Sequence, residues 1–429
     1  MLARVPRALF CMLLIVALSL SSAPPAHAAE SPAYRSGSLL VKLRAGALTQ
    51  FRLPAGARVQ SALASNLYSV QVQPGDEQRM LAHLQALPSV AYAQLDHAVA
   101  AQIQPHDARY SEQWNMERIG APEAWAVVTD TTALVVAVLD TGIAEAHPDL
   151  QGQLWRNPGE IANNGVDDDH NGFVDDVHGW HFYHTYSNGQ AYTHDDSSIS
   201  DANGHGTHVA GIIGATGDNG MGVTGVAWRA RLMIVRVLED DAVGWESDVI
   251  RGVNYAIANG ARIVHMSLGQ TESSPALMDM ITQAEERGVL VVAAAGNTGN
   301  QVLFPAAYPT VLSVGASDQH DQRAGFSAFG ARLDLLAPGV DILSTWNGVP
   351  YFARSGTSMA APHVSGAAAL LWTRMPNMTP AQVRRCLLQT AIDLGPPGRD
   401  DNHGWGLLNI GRALQQNCQS LTFLPLMAS

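Results

Sequence analysis

The fold of this chain is decided by Leu134-Val135-Val136-Ala137-Val138-Leu139, a run of apolar residues without a polar interruption. A strand with one face in water alternates apolar and polar residues, whereas an unbroken run is typical of a strand buried on both faces of a parallel sheet. We therefore predict a central strand over residues 134–139, in a sheet that carries helices on both faces.

Strands and helices alternate on the C-terminal side of this run. The apolar patterns predict strands over residues 263–268, 289–293 and 311–314 and helices over residues 249–257 and 277–284. Strands that are separated by helices are joined by right-handed crossovers, which predicts a doubly wound, mostly parallel α/β sheet. Ligands bind such sheets at the carboxyl ends of the strands, so we expect the functional residues there.

A small α/β unit is predicted ahead of this sheet. Its strands are expected over residues 38–43, 68–72 and 90–94, and its helix over residues 76–87. About 60 residues with few large apolar side chains make a marginal core, so the unit is expected to need a partner surface. Residues 95–110 show no periodicity and are predicted to be a linker.

The composition limits the class of protein. The chain has 429 residues, of which 47% are hydrophobic and 15% charged, so it is long enough for two or three globular domains. Its formal net charge is −13. An acidic chain without a basic stripe argues against nucleic-acid binding and against attachment to anionic lipid.

The N-terminus has the pattern of a secretory signal peptide over residues 1–28. Arg4 and Arg7 precede an apolar run over residues 8–20, and small residues end at Ala26-His27-Ala28. The alternative is a membrane anchor, but a bilayer span needs about 20 apolar residues and this run is shorter. We therefore expect an exported protein without a membrane span.

The predicted export determines which cysteines remain in the mature protein and whether they can form a disulfide. Removal of the signal peptide also removes Cys11, which leaves Cys386 and Cys418. Two cysteines in an exported protein favour a disulfide over a metal site, with two free buried thiols as the alternative.

Asp140 directly follows the central apolar run and begins Asp140-Thr141-Gly142. A carboxylate at the end of a buried strand needs a partner, because an unpaired buried charge is very costly. The alternative is an aspartate that only caps the next turn.

His205 lies in Asn203-Gly204-His205-Gly206-Thr207-His208-Val209-Ala210-Gly211. The flanking glycines allow a tight turn that leaves the imidazole accessible. We interpret His205 as a general base. The alternative is a metal pair with His208, although no acidic third ligand follows at the helical spacing of zinc proteases.

Ser358 lies in Ser355-Gly356-Thr357-Ser358-Met359-Ala360-Ala361-Pro362-His363, ahead of an alanine- and glycine-rich helix. A serine at the N-terminus of a buried helix has free backbone N–H groups beside it, which can hold a developing oxyanion. The alternative is a simple helix cap. An esterase elbow is excluded, because that motif needs glycine where Ala360 stands.

Together these segments resemble the subtilisin-like serine peptidases (subtilases), whose order is Asp, His, Ser. The matching blocks are Val138-Leu139-Asp140-Thr141-Gly142, His205-Gly206-Thr207-His208-Val209-Ala210-Gly211, Met266-Ser267-Leu268-Gly269, Ala293-Ala294-Ala295-Gly296-Asn297 and Gly356-Thr357-Ser358-Met359-Ala360-Ala361-Pro362. The resemblance covers about residues 110–415, and residues 38–95 resemble the family's inhibitory propeptide, a ferredoxin-like α/β domain.

The resemblance implies a role for each catalytic candidate. Ser358 would be the nucleophile, and His205 would take its proton and later deliver it to the leaving amine. Asp140 would hold the tautomer of His205 and stabilise the imidazolium. Asn297 would donate its side-chain amide to the oxyanion beside the Ser358 N–H.

The resemblance also implies two substrate-binding edges. Ser267-Leu268-Gly269 would pair with the substrate backbone as with an added strand, and Gly244-Trp245-Glu246 would form the opposing edge. The neighbouring loop, Gln301-Val302-Leu303-Phe304, carries no carboxylate. A pocket without a negative group is expected to prefer apolar over basic side chains.

An acidic loop predicts structural calcium. Residues 167–176 place oxygen side chains at positions 1, 3 and 5 and Gly172 at position 6, as in an EF-hand, but His178 replaces the glutamate at position 12. The alternative is a solvated acidic turn. The candidate ligands are Asp167, Asp169, Asn171, Asp175 and Asp176. The resemblance implies a second calcium site at Asp149 and Asn219, with backbone carbonyls of Gly217, Met221 and Val223.

We thus expect a signal peptide (1–28), a propeptide (29–105), a subtilase domain (106–416) and a C-terminal tail of unknown role (417–429). The product would be a secreted, monomeric endopeptidase that acts on proteins and is inhibited by its own propeptide until a cut within residues 97–109. One rival is a catalytically silent protein-binding pseudopeptidase, against which the complete set of catalytic residues argues. The His205 block excludes a serine–carboxyl peptidase, and the single acidic loop argues against a calcium-dependent adhesion module.

Overall fold

The structure is a computed structural model that describes residues 34–47, 51–97, 103–187, 190–416 and 418. The predicted signal peptide and all of the predicted tail except Cys418 lie outside the described residues. The chain divides into two compact units, Met1–Val99 and Ala100–Ser429.

The N-terminal unit contains an antiparallel sheet and a helix. Its elements are β1 (Tyr34–Leu43), β2 (Arg58–Ala64), β3 (Leu67–Gln71), α1 (Glu77–Gln85) and β4 (Val90–His97), and the strands lie in the order β2-β3-β1-β4. The small core contains Leu39, Val41, Val70 and Leu84. Sequence patterns missed β2 because every one of its side chains is exposed, and β4 extends into the predicted linker.

The C-terminal unit is built on a seven-stranded sheet in which every strand pair is parallel. In chain order, its strands are β5 (Asp130–Asp140), β6 (Gly179–His181), β9 (Arg229–Arg236), β10 (Ala261–Met266), β11 (Leu290–Ala294), β12 (Leu312–Ser317) and β13 (Leu335–Pro338). Their order is β13-β12-β11-β10-β5-β9-β6, so the predicted central strand lies inside the sheet with a neighbour on each side. The predicted doubly wound parallel sheet is confirmed.

Helices cover both faces of this sheet, and two hairpins lie outside it. The helices are α2 (Trp114–Arg118), α3 (Ala121–Trp125), α4 (His205–Gly214), α5 (Glu246–Ala258), α6 (Pro275–Glu286), α7 (Thr357–Arg374), α8 (Pro380–Thr390) and α9 (Ile410–Gln415). The hairpins are β7 (His184–Ser187) with β8 (Gln190–Thr193) and β14 (Ile342–Thr345) with β15 (Tyr351–Arg354). Helices α4 and α7 share one apolar core with the sheet, and α5 and α6 share the other.

Helix α7 is the central helix of the unit. It is buried along nearly its whole length, and it packs against β5, β10, β11, β12 and β13. Gly366 allows a close approach to the segment between α4 and β9, since a Cβ at Gly366 would lie 2.6 Å from the Cβ of Val226. The packing fixes the N-terminal turn of α7, which carries Ser358, over the carboxyl ends of the central strands.

Two further observations bear on the sequence predictions. The Cα atoms of Cys386 and Cys418 lie 5.6 Å apart with their sulfur atoms at bonding distance, as a disulfide requires. In the part of the chain that is described, no helix combines the length and the apolar character needed to cross a bilayer.

Candidate active site

The four catalytic candidates lie at the edge of the sheet where the parallel strands end. Asp140 is the last residue of β5, and Asn297 follows β11. His205 and Ser358 lie in the first turns of α4 and α7. The chain thus brings side chains from residues 140 to 358 to one end of the sheet, as the topology rule predicts.

Asp140 and His205 form a buried hydrogen-bonded pair. The Nδ1 of His205 lies 2.7 Å from Oδ1 of Asp140, whose side chain is 1% exposed. Burial opposes the charged imidazole, but the charge and hydrogen bond of Asp140 outweigh it, so the pKa of His205 is raised. The Nδ1–H donates to the carboxylate, which leaves Nε2 of the neutral ring as a proton acceptor.

Two glycines permit this close approach. A Cβ at Gly206 would lie 2.2 Å from the carbonyl oxygen of Gly142, so no other residue fits there without moving the backbone. Gly142 itself has a φ of 114°, which side chains rarely adopt. Steric constraints therefore explain why glycine stands beside His205, at position 206, and close to Asp140, at position 142.

Asp201 is a positioning residue that sequence reasoning missed. Its buried carboxylate accepts hydrogen bonds from the backbone N–H groups of Gly204 at 2.7 Å and Thr207 at 2.9 Å, and from the Thr141 hydroxyl at 2.9 Å. It therefore joins the start of α4 to the segment after Asp140. A signal was present, because an acidic residue shortly before a helix often satisfies its free N–H groups.

Asn297 has one end of its amide bound and the other exposed. Its Oδ1 accepts hydrogen bonds from the Thr357 N–H at 2.8 Å and the Thr357 hydroxyl at 3.0 Å. The residue is exposed. This anchoring fixes the amide plane beside the first turn of α7 and leaves the Nδ2 hydrogens available to a ligand.

Ser358 is half-buried, and its hydroxyl donates to the carbonyl oxygen of Ser267 at 3.3 Å. Among the described residues, the hydroxyl is thus paired with Ser267 rather than with His205. Catalytic hydrogen bonds are often long or turned aside until substrate binds, so this arrangement is compatible with a nucleophile.

A cleft runs past His205 between the two predicted substrate edges. Ser267, Leu268 and Gly269 line one side, and Gly244 and Trp245 line the other. Phe304 of the predicted neighbouring loop also lines it, as do the apolar side chains of Val243 and Leu277, which were not predicted. Among the described residues that line it, one is acidic: Glu246, which accepts hydrogen bonds from Gln270 at 2.7 Å and Ser274 at 2.6 Å.

The acidic loop brings three carboxylates together. Oxygen atoms of Glu160, Asp169 and Asp176 all lie within 4.8 Å of one another. Asp176 is fully buried, accepts a hydrogen bond from the Tyr255 hydroxyl at 2.6 Å, and has its pKa raised by burial. Hard oxygen donors crowded in this way fit Ca²⁺, which offsets their mutual repulsion. Glu160 lies outside the predicted loop and was missed.

Other predicted ligands shape this loop. Asp167 accepts the Gly172 N–H at 2.8 Å, and Asp175 accepts the Asn164 N–H at 3.0 Å. The amide of Asn171 donates to Asp169 at 3.2 Å, so its nitrogen faces the cluster. The structure therefore brings Asp169 and Asp176 to the carboxylate cluster and turns Asp167 and Asp175 toward backbone N–H groups.

The second predicted site also forms one group. Asp149 accepts hydrogen bonds from the Asn219 amide at 2.8 Å and the Tyr351 hydroxyl at 2.8 Å. The buried Asp107, which sequence reasoning missed, accepts the N–H groups of Asp218 at 2.7 Å and Asn219 at 3.3 Å. Asn219 thus contacts both carboxylates, through its backbone N–H and its side-chain amide. Burial, with a contribution from the Asp149 charge, raises the pKa of Asp107. These oxygen donors also fit Ca²⁺.

Comparison with known proteins gives two family matches. Residues 131–406 match the Subtilase family, and residues 21–96 match the Fervidolysin N-terminal prodomain.

Three curated proteins illustrate the similarity. An alkaline protease of Alkalihalobacillus alcalophilus is 37% identical over 346 residues, which are 80% of this chain and 78% of that protein. The thermostable alkaline protease of Halalkalibacterium halodurans is 42% identical over 281 residues, 65% of this chain and 67% of that protein. Subtilisin BL of Lederbergia lenta is 39% identical over 304 residues, 71% of this chain and 98% of that protein.

Proposed function

The chain belongs to the subtilase family of serine endopeptidases and carries its prodomain, and we propose that Ser358, His205 and Asp140 form its catalytic triad. The observation that carries the proposal is the 2.7 Å hydrogen bond between His205 and the buried Asp140, beside the N-terminal turn of α7. No metal is needed for this chemistry.

In the proposed reaction, Nε2 of His205 takes the proton of the Ser358 hydroxyl while Oγ attacks the carbonyl carbon of the scissile peptide bond. The C–N bond then breaks, and His205 gives its proton to the leaving amine, which leaves an acyl-enzyme on Ser358. A water molecule then gives a proton to His205 and attacks the acyl carbon. The bond to Ser358 breaks, His205 returns the proton to Oγ, and the new carboxylic acid is released. Asp140 stabilises the imidazolium of His205 during both acylation and deacylation without taking the proton.

The negative charge on the carbonyl oxygen has two proposed donors. The Ser358 N–H lies in the first turn of α7, where backbone N–H groups lack a partner within the helix. The Nδ2 of Asn297 is the second donor, held by the contacts of its Oδ1 with Thr357. Fixed donors of this kind act where charge develops, so they stabilise the transition state more than the substrate.

The cleft supports an apolar preference. The substrate backbone would pair with the edge at Ser267–Gly269 and with the opposing edge at Gly244 and Trp245. The lining is largely apolar, and both carboxylate oxygens of Glu246 are engaged by neighbours. The two donors, Gln270 and Ser274, are neutral and leave the charge of Glu246 in place, so the preference for apolar or aromatic residues rests on the largely apolar lining.

The domain boundaries fit a secreted zymogen. We assign residues 1–28 to a signal peptide, 29–105 to the inhibitory propeptide and 106–416 to the catalytic domain, with a cut within residues 97–109. The prodomain match and the separate compact unit at the N-terminus support this division. The catalytic domain would act outside the cell, as a monomer, on protein substrates.

Two calcium ions and a disulfide are proposed to stabilise the catalytic domain. Glu160, Asp169 and Asp176 would hold one ion, and Asp149 with Asn219 and Asp107 the other. The Cys386–Cys418 bond closes a loop with a sequence separation of 32. A loop of this length contributes roughly 3–4 kcal/mol in the chain-entropy account.

Hydrolysis of two peptide p-nitroanilides, one with Phe and one with Arg before the scissile bond, tests the proposal. We expect the intact enzyme to favour Phe by roughly tenfold or more in kcat/KM. Ser358→Ala should abolish both activities. No hydrolysis of either substrate or of casein by the intact, folded enzyme would support the pseudopeptidase instead, and equal cleavage of both substrates would refute the apolar preference.

A further inference from the structure

A buried imidazole lies beneath Ser358 and takes no part in the triad. His265 is in β10, between Val138 of β5 and Val292 of β11, and is completely buried. Its Nδ1 lies 2.9 Å from the hydroxyl of Ser365, and its Nε2 lies 2.8 Å from the hydroxyl of Ser267. The ring thus connects the middle of α7 to the substrate edge.

The next hydrogen bond in this chain reaches Ser358. The Ser267 hydroxyl donates to the backbone carbonyl oxygen of Ser358 at 2.9 Å. That carbonyl needs an external donor, because its helical partner would be the N–H of residue 362, and Pro362 has none. The hydroxyl of Ser267 therefore replaces a hydrogen bond that the proline removes from the first turns of α7.

The direction of the hydrogen bond from Ser267 to Ser358 determines the proton positions on His265, Ser267 and Ser365. The single hydrogen of the Ser267 hydroxyl points to Ser358, so Ser267 must accept from His265, whose Nε2 carries the proton. Burial lowers the pKa of His265 to about 3, and the charge of His205 adds to this effect, so the ring is neutral and its Nδ1 is an acceptor. Ser365 donates to Nδ1. Both ring nitrogens of His265 and the Ser267 hydroxyl are then hydrogen-bonded in one arrangement of protons only.

We propose that His265 is a positioning residue for the peptidase reaction, which holds the Ser267 hydroxyl on the Ser358 carbonyl and thereby sets the orientation of the nucleophile. The proposal rests on the proposed role of Ser358. In the opposite tautomer Ser267 would turn toward His265, and the Ser358 carbonyl would lose its donor. The first turn of α7 carries both the nucleophile and an oxyanion donor, so a small rotation there affects the chemical step more than substrate binding.

The test compares kcat and KM of the mature enzyme with those of two variants. His265→Leu removes the donor to Ser267 and should lower kcat about tenfold, the effect of one neutral hydrogen bond, with KM within about twofold. His265→Gln retains an N–H near the Nε2 position and should recover kcat to within about threefold. The rate of Ser358 modification by phenylmethylsulfonyl fluoride should fall in parallel with kcat, because that reaction needs the nucleophile but not the backbone pairing of a peptide substrate.

A double-mutant cycle separates this relay from packing. In a Ser267→Ala background the relay is already broken, so adding His265→Leu should change kcat by less than about twofold. An equal loss in both backgrounds, an unchanged kcat in His265→Leu, or a loss confined to KM would overturn the proposal. If His265→Leu does not fold, Ser365→Ala replaces it in the same cycle.

The kcat values of the cycle are compared with those of the intact enzyme and of Ser358→Ala. Activity that survives in Ser358→Ala would refute the proposed function itself. An intact enzyme that needs Ser358 but is indifferent to His265 would refute only the positioning role.

Discussion

At the scale of the residue, Asn297 shows how one amide can be both fixed and available. Its oxygen is held by the N–H and hydroxyl of Thr357, and its nitrogen faces solvent beside the first turn of α7. Loss of one oxyanion donor, the role proposed for Asn297, costs about 10²–10³ in kcat.

We therefore expect Asn297→Ala to lower kcat by about 10²–10³ with KM little changed. Steady-state kinetics on the Phe p-nitroanilide measure both. Asn300 is an exposed asparagine in the same loop, so Asn300→Ala is the matched control and should keep the activity of the intact enzyme. Equal kcat values for the two variants would mean that Asn297 is only a turn residue.

Arg354 gives a pH prediction. Its guanidinium lies 5.2 Å from the ring centroid of Trp346. Burial lowers the pKa of His205, and the positive charge of Arg354 adds to that effect, whereas the charges of Asp140 and Asp201 raise it. Removal of this charge in Arg354→Gln should raise the pKa of His205. The neutral imidazole is the active base, so the acid limb of the kcat/KM profile should move to higher pH.

Arg354→Lys is the control, because it keeps the positive charge and should keep the position of the acid limb. The shift in Arg354→Gln should be largest at low salt, since Arg354 is exposed and its field is screened by ions. An acid limb that moves to lower pH in Arg354→Gln would contradict this electrostatic account.

The residues that sequence reasoning found and missed differ in a physical way. Asp140, His205 and Ser358 stand in motifs whose neighbours are constrained by turns and helix starts. Asp201 accepts the N–H groups of Gly204 and Thr207, which are close in the sequence, so a helix-capping signal was present for it. Asp107 accepts the N–H groups of Asp218 and Asn219, which are more than a hundred residues away in the sequence, and a lone aspartate carries no local signal of that. Such acceptors become visible only when the fold brings the donors to them.

At the scale of the element, burial explains which strands and helices the sequence predicted. Strand β5 is buried on both faces and is therefore an unbroken apolar run, and α5 and α6 are each buried on one face and therefore have apolar residues at helical spacing. Strand β2 could not be predicted, because all its side chains are exposed and it is held by backbone pairing and side-chain hydrogen bonds to β3 rather than by apolar packing. The acidic loop was recognised by composition, but its geometry depends on Glu160, which lies ahead of the motif and reaches the cluster through a turn of the chain.

This loop leads to a stability prediction. Ca²⁺ at 100 times its Kd stabilises a folded protein by about 2.7 kcal/mol per site, and a domain of about 300 residues gains roughly 1–2 °C per kcal/mol. We expect Asp169→Asn to lose much of the calcium-dependent gain in Tm, measured by calorimetry in Ca²⁺ and in EGTA.

Asp168→Asn is the matched control in the same loop. Its carboxylate accepts the Ile161 N–H at 3.1 Å and the Asn164 amide at 2.8 Å and is not part of the three-carboxylate cluster. The calcium-dependent gain should therefore persist in Asp168→Asn. If both variants respond to Ca²⁺ as the intact chain does, the ion does not bind at this cluster.

At the scale of the whole molecule, the two compact units fit different tasks. The parallel sheet of the C-terminal unit joins strands that are far apart in sequence, and folds with many such non-local contacts form slowly. The N-terminal unit is mostly antiparallel and small, and it matches a prodomain. A propeptide that assists folding and then blocks the active site is consistent with this division of the chain.

The central claim is that Ser358 cuts peptide bonds, and the chain itself offers the first substrate. The most direct measurement is the mass of the N-terminal fragment released from the precursor, with Ser358 intact and as Ser358→Ala. We predict that only the intact precursor separates, within residues 97–109, and that phenylmethylsulfonyl fluoride then adds its mass to Ser358. If neither precursor separates and Ser358 takes no adduct, the catalytic account is wrong.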